Sequence, residues 1–338
     1  MPPQFRVLIA DFLDEASVET PILGDLAELI VAHAHTEDEF AEFIPSADAM
    51  ILYHDVTRVS AKTFDRADRL LGVVRAGVGY NNVDLEAAAG RGILVCNVPD
   101  YGTEEVADHA MMLLLAIARQ LRPGDESIRG GSWDYRKVLE MPRLRGKTLG
   151  IVGCGRIGTA MAQRAKAFGL DVVFYDPHVV PGYDKALGIR RADTLDDLLR
   201  QSQFVSLHCY LDEAAHHLIN ARALALMPRG SVLVNTARGG VVDGDALVDA
   251  LDSGHLLGAG IDVVEHEPLA DDRLRHHPRV LLSPHSAFYS IEGFVELRRK
   301  TAEEVLRILT GQPARCPVNT PVPSRLRRVP ANSGKSTE

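Results

Sequence analysis

The chain has 338 residues, enough for two domains with cores of their own, and 46% of them are hydrophobic. Its net charge of −9 argues against a nucleic-acid binder, which would carry a basic surface. The four cysteines, Cys96, Cys154, Cys209 and Cys316, stand apart with no C-x-x-C pair, so buried thiols are expected rather than a disulfide framework or a metal site. No signal-peptide pattern precedes the strand-like Arg6–Ala10. The longest apolar run, Ala110–Ala118, is too short to cross a bilayer. A cytoplasmic, reducing setting without membrane or nucleic-acid partners is expected.

The first third alternates strand and helix. Strand-like runs are Val7–Ala10, Ala49–Tyr53, Leu71–Arg75 and Leu94–Val98. Helical stretches lie at Thr36–Phe43, Ala61–Ala67 and Asp84–Gly90. This βα pattern predicts a parallel sheet. It has no phosphate fingerprint, so it reads as a separate domain that handles something other than a dinucleotide. In the turn Arg75–Asp84, Gly77 and Gly79 leave backbone N–H groups to meet an anion at the carboxyl end of a strand. A tight βα turn accounts for the same residues equally well.

Glu104–Leu121 predicts one long helix, apolar on every face across Met111–Ala118. Such a helix needs cover from a second domain, a second subunit or both; a central core helix is the alternative. Pro123–Arg145 is polar, with the single tryptophan Trp133, and reads as a connection.

The next stretch is more specific. Thr148–Val152 is of strand type, and Gly153, Gly155 and Gly158 follow as G-x-G-x-x-G. Thr159–Phe168 reads as a helix and Val172–Tyr175 as a strand closed by Asp176. Gly153 permits the bend, Gly155 lets a pyrophosphate approach the backbone, and Gly158 lets the helix pack on the strand. The helix start offers unpaired N–H groups and a positive dipole end. Asp176 can accept both ribose hydroxyls of an adenosine and would repel a 2′-phosphate, which predicts NAD over NADP. Strand-like Phe204–Cys209, Ser231–Asn235, Gly258–Val263 and Val280–Ser283 complete a doubly wound sheet with helices such as Leu195–Arg200 and Asp245–Asp252. Ile291–Leu309 is an amphipathic helix, and the tail 318–338 reads as disordered.

Arg238, Glu267 and His285 each follow a strand of this second half, at the edge where a dinucleotide would lie. Arg238 offers a planar fork for a carboxylate. His285 can take a hydroxyl proton as hydride leaves, or return it. Glu267 can orient the ring and favour its charged form. Taken singly, each has a plain structural reading: an ion-pair partner, a turn before Pro268, one of thirteen histidines. His276 and His277 sit in a charged loop and receive no role.

Five motifs together are specific: RAGVGYNNVD from Arg75, CNVPDYGTEEVAD from Cys96, LRGKTLGIVGCGRIG from Leu144, LVNTARGG from Leu233 and PHSAFYS from Pro284. With them the chain resembles the D-isomer-specific 2-hydroxyacid dehydrogenases from about Phe5 to Asn319. Within that family it looks closest to the C-terminal-binding-protein branch and its bacterial relatives. The resemblance implies an NAD-dependent oxidoreductase for a small D-2-hydroxy acid or its 2-keto form, with Arg238, Glu267 and His285 as the catalytic set. It implies that the backbone at Val78 and Gly79 joins Arg238 in holding the substrate carboxylate, and that Phe288 borders the substrate. Implied cofactor positions are Val78, Val152, Gly153, Gly155, Arg156, Ile157, Gly158 and Asp176. Cys209, Tyr210 and Leu211 would run beside the adenosine. Thr236, Ala237, Arg238 and His285 would line the nicotinamide side, with Asp262 meeting the carboxamide.

The implied fold is α/β with two doubly wound parallel-sheet domains. A flavodoxin-like substrate domain would take 1–103 with 289–317, and a Rossmann NAD-binding domain 104–288. The 104–121 helix would lie in a homodimer contact. Three residues depart from the pattern: Asn81 for a common aspartate, Tyr210 for a frequent proline, and Phe288 for the tryptophan of the C-terminal-binding proteins. The alternative function is an NAD(H)-sensing dimeric scaffold that recruits protein partners.

Overall fold

A computed structural model describes residues 3–328. It divides into two compact units, one made of Met1–Gly102 with Ser290–Glu338 and the other of Thr103–Tyr289. The first holds five strands: β1 (Phe5–Ile9), β2 (Ala27–Val31), β3 (Ala49–Leu52), β4 (Gly72–Arg75) and β5 (Leu94–Asn97). All pair in parallel, in the order β2-β1-β3-β4-β5. That is the flavodoxin-like order of a doubly wound sheet. Its inner strands are near-continuous apolar runs because helices cover both faces. Val7, Leu8, Ile9, Met50, Ile51, Leu52, Val73, Val74 and Val95 are fully buried.

The last long helix, Ile291–Leu309, belongs to this unit and packs on β3 and β4. It starts where the Ser290 hydroxyl accepts the N–H of Gly293. Its Arg298 is buried against Glu19, with Nη2–Oε2 at 2.7 Å and Nε–Oε1 at 2.9 Å. A bidentate pair satisfies the fully buried Glu19 and the largely buried Arg298 together.

The second unit holds seven parallel strands: β6 (Thr148–Val152), β7 (Asp171–Tyr175), β8 (Arg190–Arg191), β9 (Phe204–Leu207), β10 (Ser231–Asn235), β11 (Leu256–Ile261) and β12 (Val280–Leu282). Their order, β12-β11-β10-β9-β6-β7-β8, reverses direction between β6 and β9. A ligand crevice opens outside the carboxyl ends at such a switch point.

Several expectations change. Thr36–Phe43 is a run of turns, because the Glu39 carboxylate takes the N–H of His35 and the backbone bonds there reach back three residues, not four. The long helix runs Thr103–Ala118 and stops at Gln120, which takes a left-handed φ of 48°. A second helix, Leu121–Arg129, fills part of the expected polar connection. The first helix is covered largely within its own unit. Leu113 and Ile117 sit against Gly260 and Gly258 of β11, at the space where Cβ atoms would stand. Arg164, from the helix Arg156–Ala167, bonds Asp108 at 2.6 Å.

The tail is also ordered further than expected. Val318 N–H donates to Val95 O at 2.8 Å, and Asn319 bonds both Val95 N–H and Ile93 O. Arg325 bonds Gly92 O through its backbone and Leu70 O through its guanidinium. Val318 and Asn319 are therefore tied to the β5 edge, and Arg325 to the turns that precede β4 and β5. Residues 329–338 of the expected disordered tail lie outside the described residues. No helix among the described residues is long and apolar enough to cross a membrane.

Candidate functional site

The glycine loop joins β6 to the helix Arg156–Ala167. Gly153 takes φ +88°, and a Cβ there would stand 2.6 Å from Cys209 N. A Cβ on Gly158 would collide with the carbonyl of Gly153, so that glycine sets the closeness of helix to loop. Beyond Gly155 a Cβ would meet nothing within 4 Å, and Gly155 and Arg156 are exposed. The N-cap is Gly155 itself, with no side chain bonding the helix N–H groups. Val152 and Ile157 pack on the two sides of this turn's sheet.

Asp176 ends β7 beside the loop. Its Oδ2 accepts Cys154 N–H and its Oδ1 accepts His178 N–H, both at 2.8 Å. Tyr210 is 57% exposed, and its hydroxyl lies 2.8 Å from His178 Nε2. The two rings pack at 5.5 Å. His178 was not singled out in the sequence, because it becomes a neighbour of Tyr210 only through the fold. Cys209 and Leu211 are half-buried beside the loop. Burial pushes the Cys154 and Cys209 thiols up to about 11, which suits inert packing.

These features fit a dinucleotide: an uncapped helix start, open space at Gly155, and a carboxylate at the end of the next strand. One further atom fits. Thr236 Oγ1 is buried after β10 with no hydrogen-bond partner among the described residues. A buried hydroxyl left so is costly unless something supplies its partner.

Glu267 and His285 meet directly, with Nδ1 2.8 Å from Oε2. The other Glu267 oxygen accepts Val264 N–H at 3.2 Å. Burial would raise the Glu267 carboxyl. The His285 hydrogen bond and charge, the Val264 N–H and the Arg238 charge outweigh it and hold that carboxyl below its ordinary value. Arg238 is thus near enough for its charge to act on Glu267. It follows β10 and Ala237, whose carbonyl accepts its Nη1 at 2.7 Å. Phe288 stands edge-on to His285, with ring centroids at 6.4 Å. His285 has φ +52°, a strained conformation for a residue with a side chain. Its N–H bonds Asp262 O at 2.9 Å.

Asp262 is 3% exposed, and its carboxylate organises the histidine loop. It accepts Ser283 Oγ at 2.6 Å, Ser286 N–H at 3.0 Å and Ala287 N–H at 3.1 Å. Ser283 Oγ lies 2.8 Å from His109 Nε2, on the helix Thr103–Ala118. Sequence reading expected Asp262 to meet a carboxamide and gave His109 and Ser283 no role. They are 174 residues apart, so no local spacing could pair them. Val78 and Gly79 lie in the other unit, just beyond β4, where Val78 O accepts Asn97 Nδ2 at 2.7 Å.

Residues 111–287 match the family model described as D-isomer specific 2-hydroxyacid dehydrogenase, NAD binding domain. The chain is 36% identical over 316 residues to a D-3-phosphoglycerate dehydrogenase of Methanocaldococcus jannaschii, covering 94% of this chain and 60% of that protein. It is 40% identical over 306 residues to a protein of the same name in Mycobacterium bovis, covering 90% of this chain and 57% of that one. The chain therefore spans about three fifths of the length of these curated relatives. The crystal structure of Rhodotorula graminis D-mandelate dehydrogenase superposes with a TM-score of 0.85 at 31% identity, covering 94% of this chain and 98% of that one. These likenesses carry the family and not its C-terminal-binding-protein branch. They lend no support to the scaffold alternative, since the proteins are named as dehydrogenases.

Proposed function

The chain belongs to the D-isomer-specific 2-hydroxyacid dehydrogenase family, and from that premise we propose that it oxidises a small D-2-hydroxy acid, or reduces the 2-keto form, with NAD as its cofactor. The observation that carries this reading is the 2.8 Å contact of Glu267 with His285 beside Arg238. NAD, when bound, supplies the hydride acceptor for oxidation and, as NADH, the donor for reduction.

The chain's own residues supply the rest. The glycine loop and the helix start at Arg156 hold the pyrophosphate, and Asp176 holds the adenosine ribose. Cys209, Tyr210 and Leu211 line the adenosine. Thr236 Oγ1, Ala237 and Asp262 hold the nicotinamide side. Arg238 binds the substrate carboxylate through its fork. Glu267 keeps His285 Nδ1 occupied, so Nε2 meets the substrate hydroxyl and takes its proton. The carboxylate then stabilises the imidazolium that forms. Phe288 borders the side chain of the substrate.

Replacing Arg238 by alanine tests the assignment. Turnover and substrate affinity should collapse while NADH affinity stays within about threefold, because the lost group binds the acid and not the pyrophosphate. Unchanged turnover would sink the assignment. We further propose a homodimer through the 104–121 segment, where Met112 is 49% and Leu121 63% exposed. A monomer at micromolar concentration in sedimentation would remove that proposal.

A further inference from the structure

His216 and His217 lie in the loop between β9 and the helix Ala221–Leu226, and Glu265 lies beyond β11. None takes part in the site described above. The three side chains converge so that their ligand atoms all lie within 4.8 Å of one another. His217 Nε2 is 3.1 Å from each carboxylate oxygen, and His216 Nε2 is 3.3 Å from Oε1. The two rings stack with centroids 4.1 Å apart and planes 23° apart, so both present Nε2 to the same carboxylate.

The backbone is arranged to allow this. His217 takes φ +49°, a conformation that a residue with a side chain adopts at a cost. Its N–H is anchored to Gly240 O at 2.8 Å. On the other side, a Cβ on Gly239 would collide with the backbone of Val264 and Glu265. That glycine lets the Glu265 loop close onto the turn after Arg238.

We propose that His216, His217 and Glu265 form a binding site for a divalent transition metal of the zinc type. Imidazole nitrogen and carboxylate oxygen bind Zn2+ at about 2.0–2.2 Å, which places tetrahedral donors roughly 3.3 Å apart. The separations of 3.1 and 3.3 Å between Glu265 and the two rings match that edge. Two neutral imidazoles select against Mg2+ and Ca2+, which prefer all-oxygen shells. The exposed face leaves a fourth position to solvent, and the ion would clamp the His217 loop to the Glu265 loop. None of the four cysteines takes part, so the cysteine spacing carried no sign of this site. The proposal stands independently of the dehydrogenase reading.

Calorimetric titration of the metal-free full chain with Zn2+ tests it, alongside Co2+ absorption to read the geometry. One-to-one Zn2+ binding is expected, unaffected by excess Mg2+, together with the intense visible bands of tetrahedral cobalt. His216→Ala and Glu265→Gln should each weaken it by more than about tenfold, the low end of what even a supporting residue contributes to a metal site. Zn2+ should raise the melting temperature of the wild type and not of these variants. All three positions are at or near the surface, so the variants should match the metal-free wild type in melting temperature. The exposed His276→Ala serves as the control and should bind as the wild type does. No Zn2+ binding by the wild type, or binding that His216→Ala and Glu265→Gln leave intact, overturns the proposal.

Discussion

Replacing Asp262 by alanine should damage the second unit in two measurable ways. The carboxylate accepts three hydrogen bonds, from Ser283 Oγ, Ser286 N–H and Ala287 N–H, at 2.6–3.1 Å. Hydrogen bonds to a charged group contribute roughly 1.5–3 kcal/mol each. The sum overshoots, because the desolvation cost of a buried charge disappears with the charge. A net loss of about 3–5 kcal/mol is the expected scale. For a unit of this size that lowers the melting temperature by about 10 °C or more. The same bonds hold the segment that carries His285, in its strained φ of +52°. Displacement of a catalytic group by about 1 Å can cost on the order of 100-fold in rate, so kcat should fall by that much. Asp262→Asn keeps one acceptor oxygen and should fall between wild type and alanine on both scales. Thermal unfolding and steady-state kinetics on the three proteins decide it. A melting temperature within about 2 °C of wild type would refute the account of Asp262 as the anchor of that loop.

Two other outcomes follow from the electrostatics. Glu267→Gln keeps the shape of the Glu267–His285 contact but removes its charge, so kcat/KM should fall roughly 10- to 100-fold, read from initial rates. Because the folded state holds the Glu267 carboxyl below its ordinary 4.5, its contribution to stability is present above that value and fades as pH falls; the glutamine variant should lack that part of the acid-side loss. His208 acts in the same direction at higher pH: burial pushes its imidazole down to about 4, beside Ser206 Oγ at 2.9 Å. The unfolded chain gains that proton from about pH 6.5 downward while the fold does not, so stability should fall between pH 6.5 and 4 by up to about 3 kcal/mol. His208→Asn should flatten that slope in urea unfolding, and an unchanged slope would show that other groups set it.

The parts of the site legible in the sequence are those whose signal is local. The strand, the three glycines, the helix and Asp176 fall within one βαβ unit, and each glycine has a steric reason that the structure repeats at Gly153 and Gly158. Arg238, Glu267 and His285 stand out because each follows a strand of the second half, and the family resemblance rather than that spacing gives them a catalytic role; the fold brings Glu267 and His285 to 2.8 Å. What the sequence hid depends on distant partners. Nothing near Asn319 or Arg325 announces that their acceptors lie at Leu70, Gly92 and Ile93, so a polar, proline-bearing stretch read as disorder. β2 (Ala27–Val31) was passed over because it is an edge strand with only Ala27 buried. The helix Thr103–Ala118 seemed to need an outside partner because its apolar faces are met by glycines of β11, and a glycine gives no pattern of its own. Thr36–Phe43 carried helix-forming residues, but the Glu39 side chain bonds the backbone locally and holds turns instead.

The central claim is hydride transfer on a 2-hydroxy or 2-keto acid with His285 as the proton carrier. NADH oxidation by the purified chain against a panel of 2-keto acids, with His285→Ala in parallel, tests it most directly. The account predicts turnover on at least one small acid and its loss by about 100-fold or more in the variant, with NADH binding retained. Tight NADH binding with no turnover on any acid, or equal turnover in the variant, would contradict it.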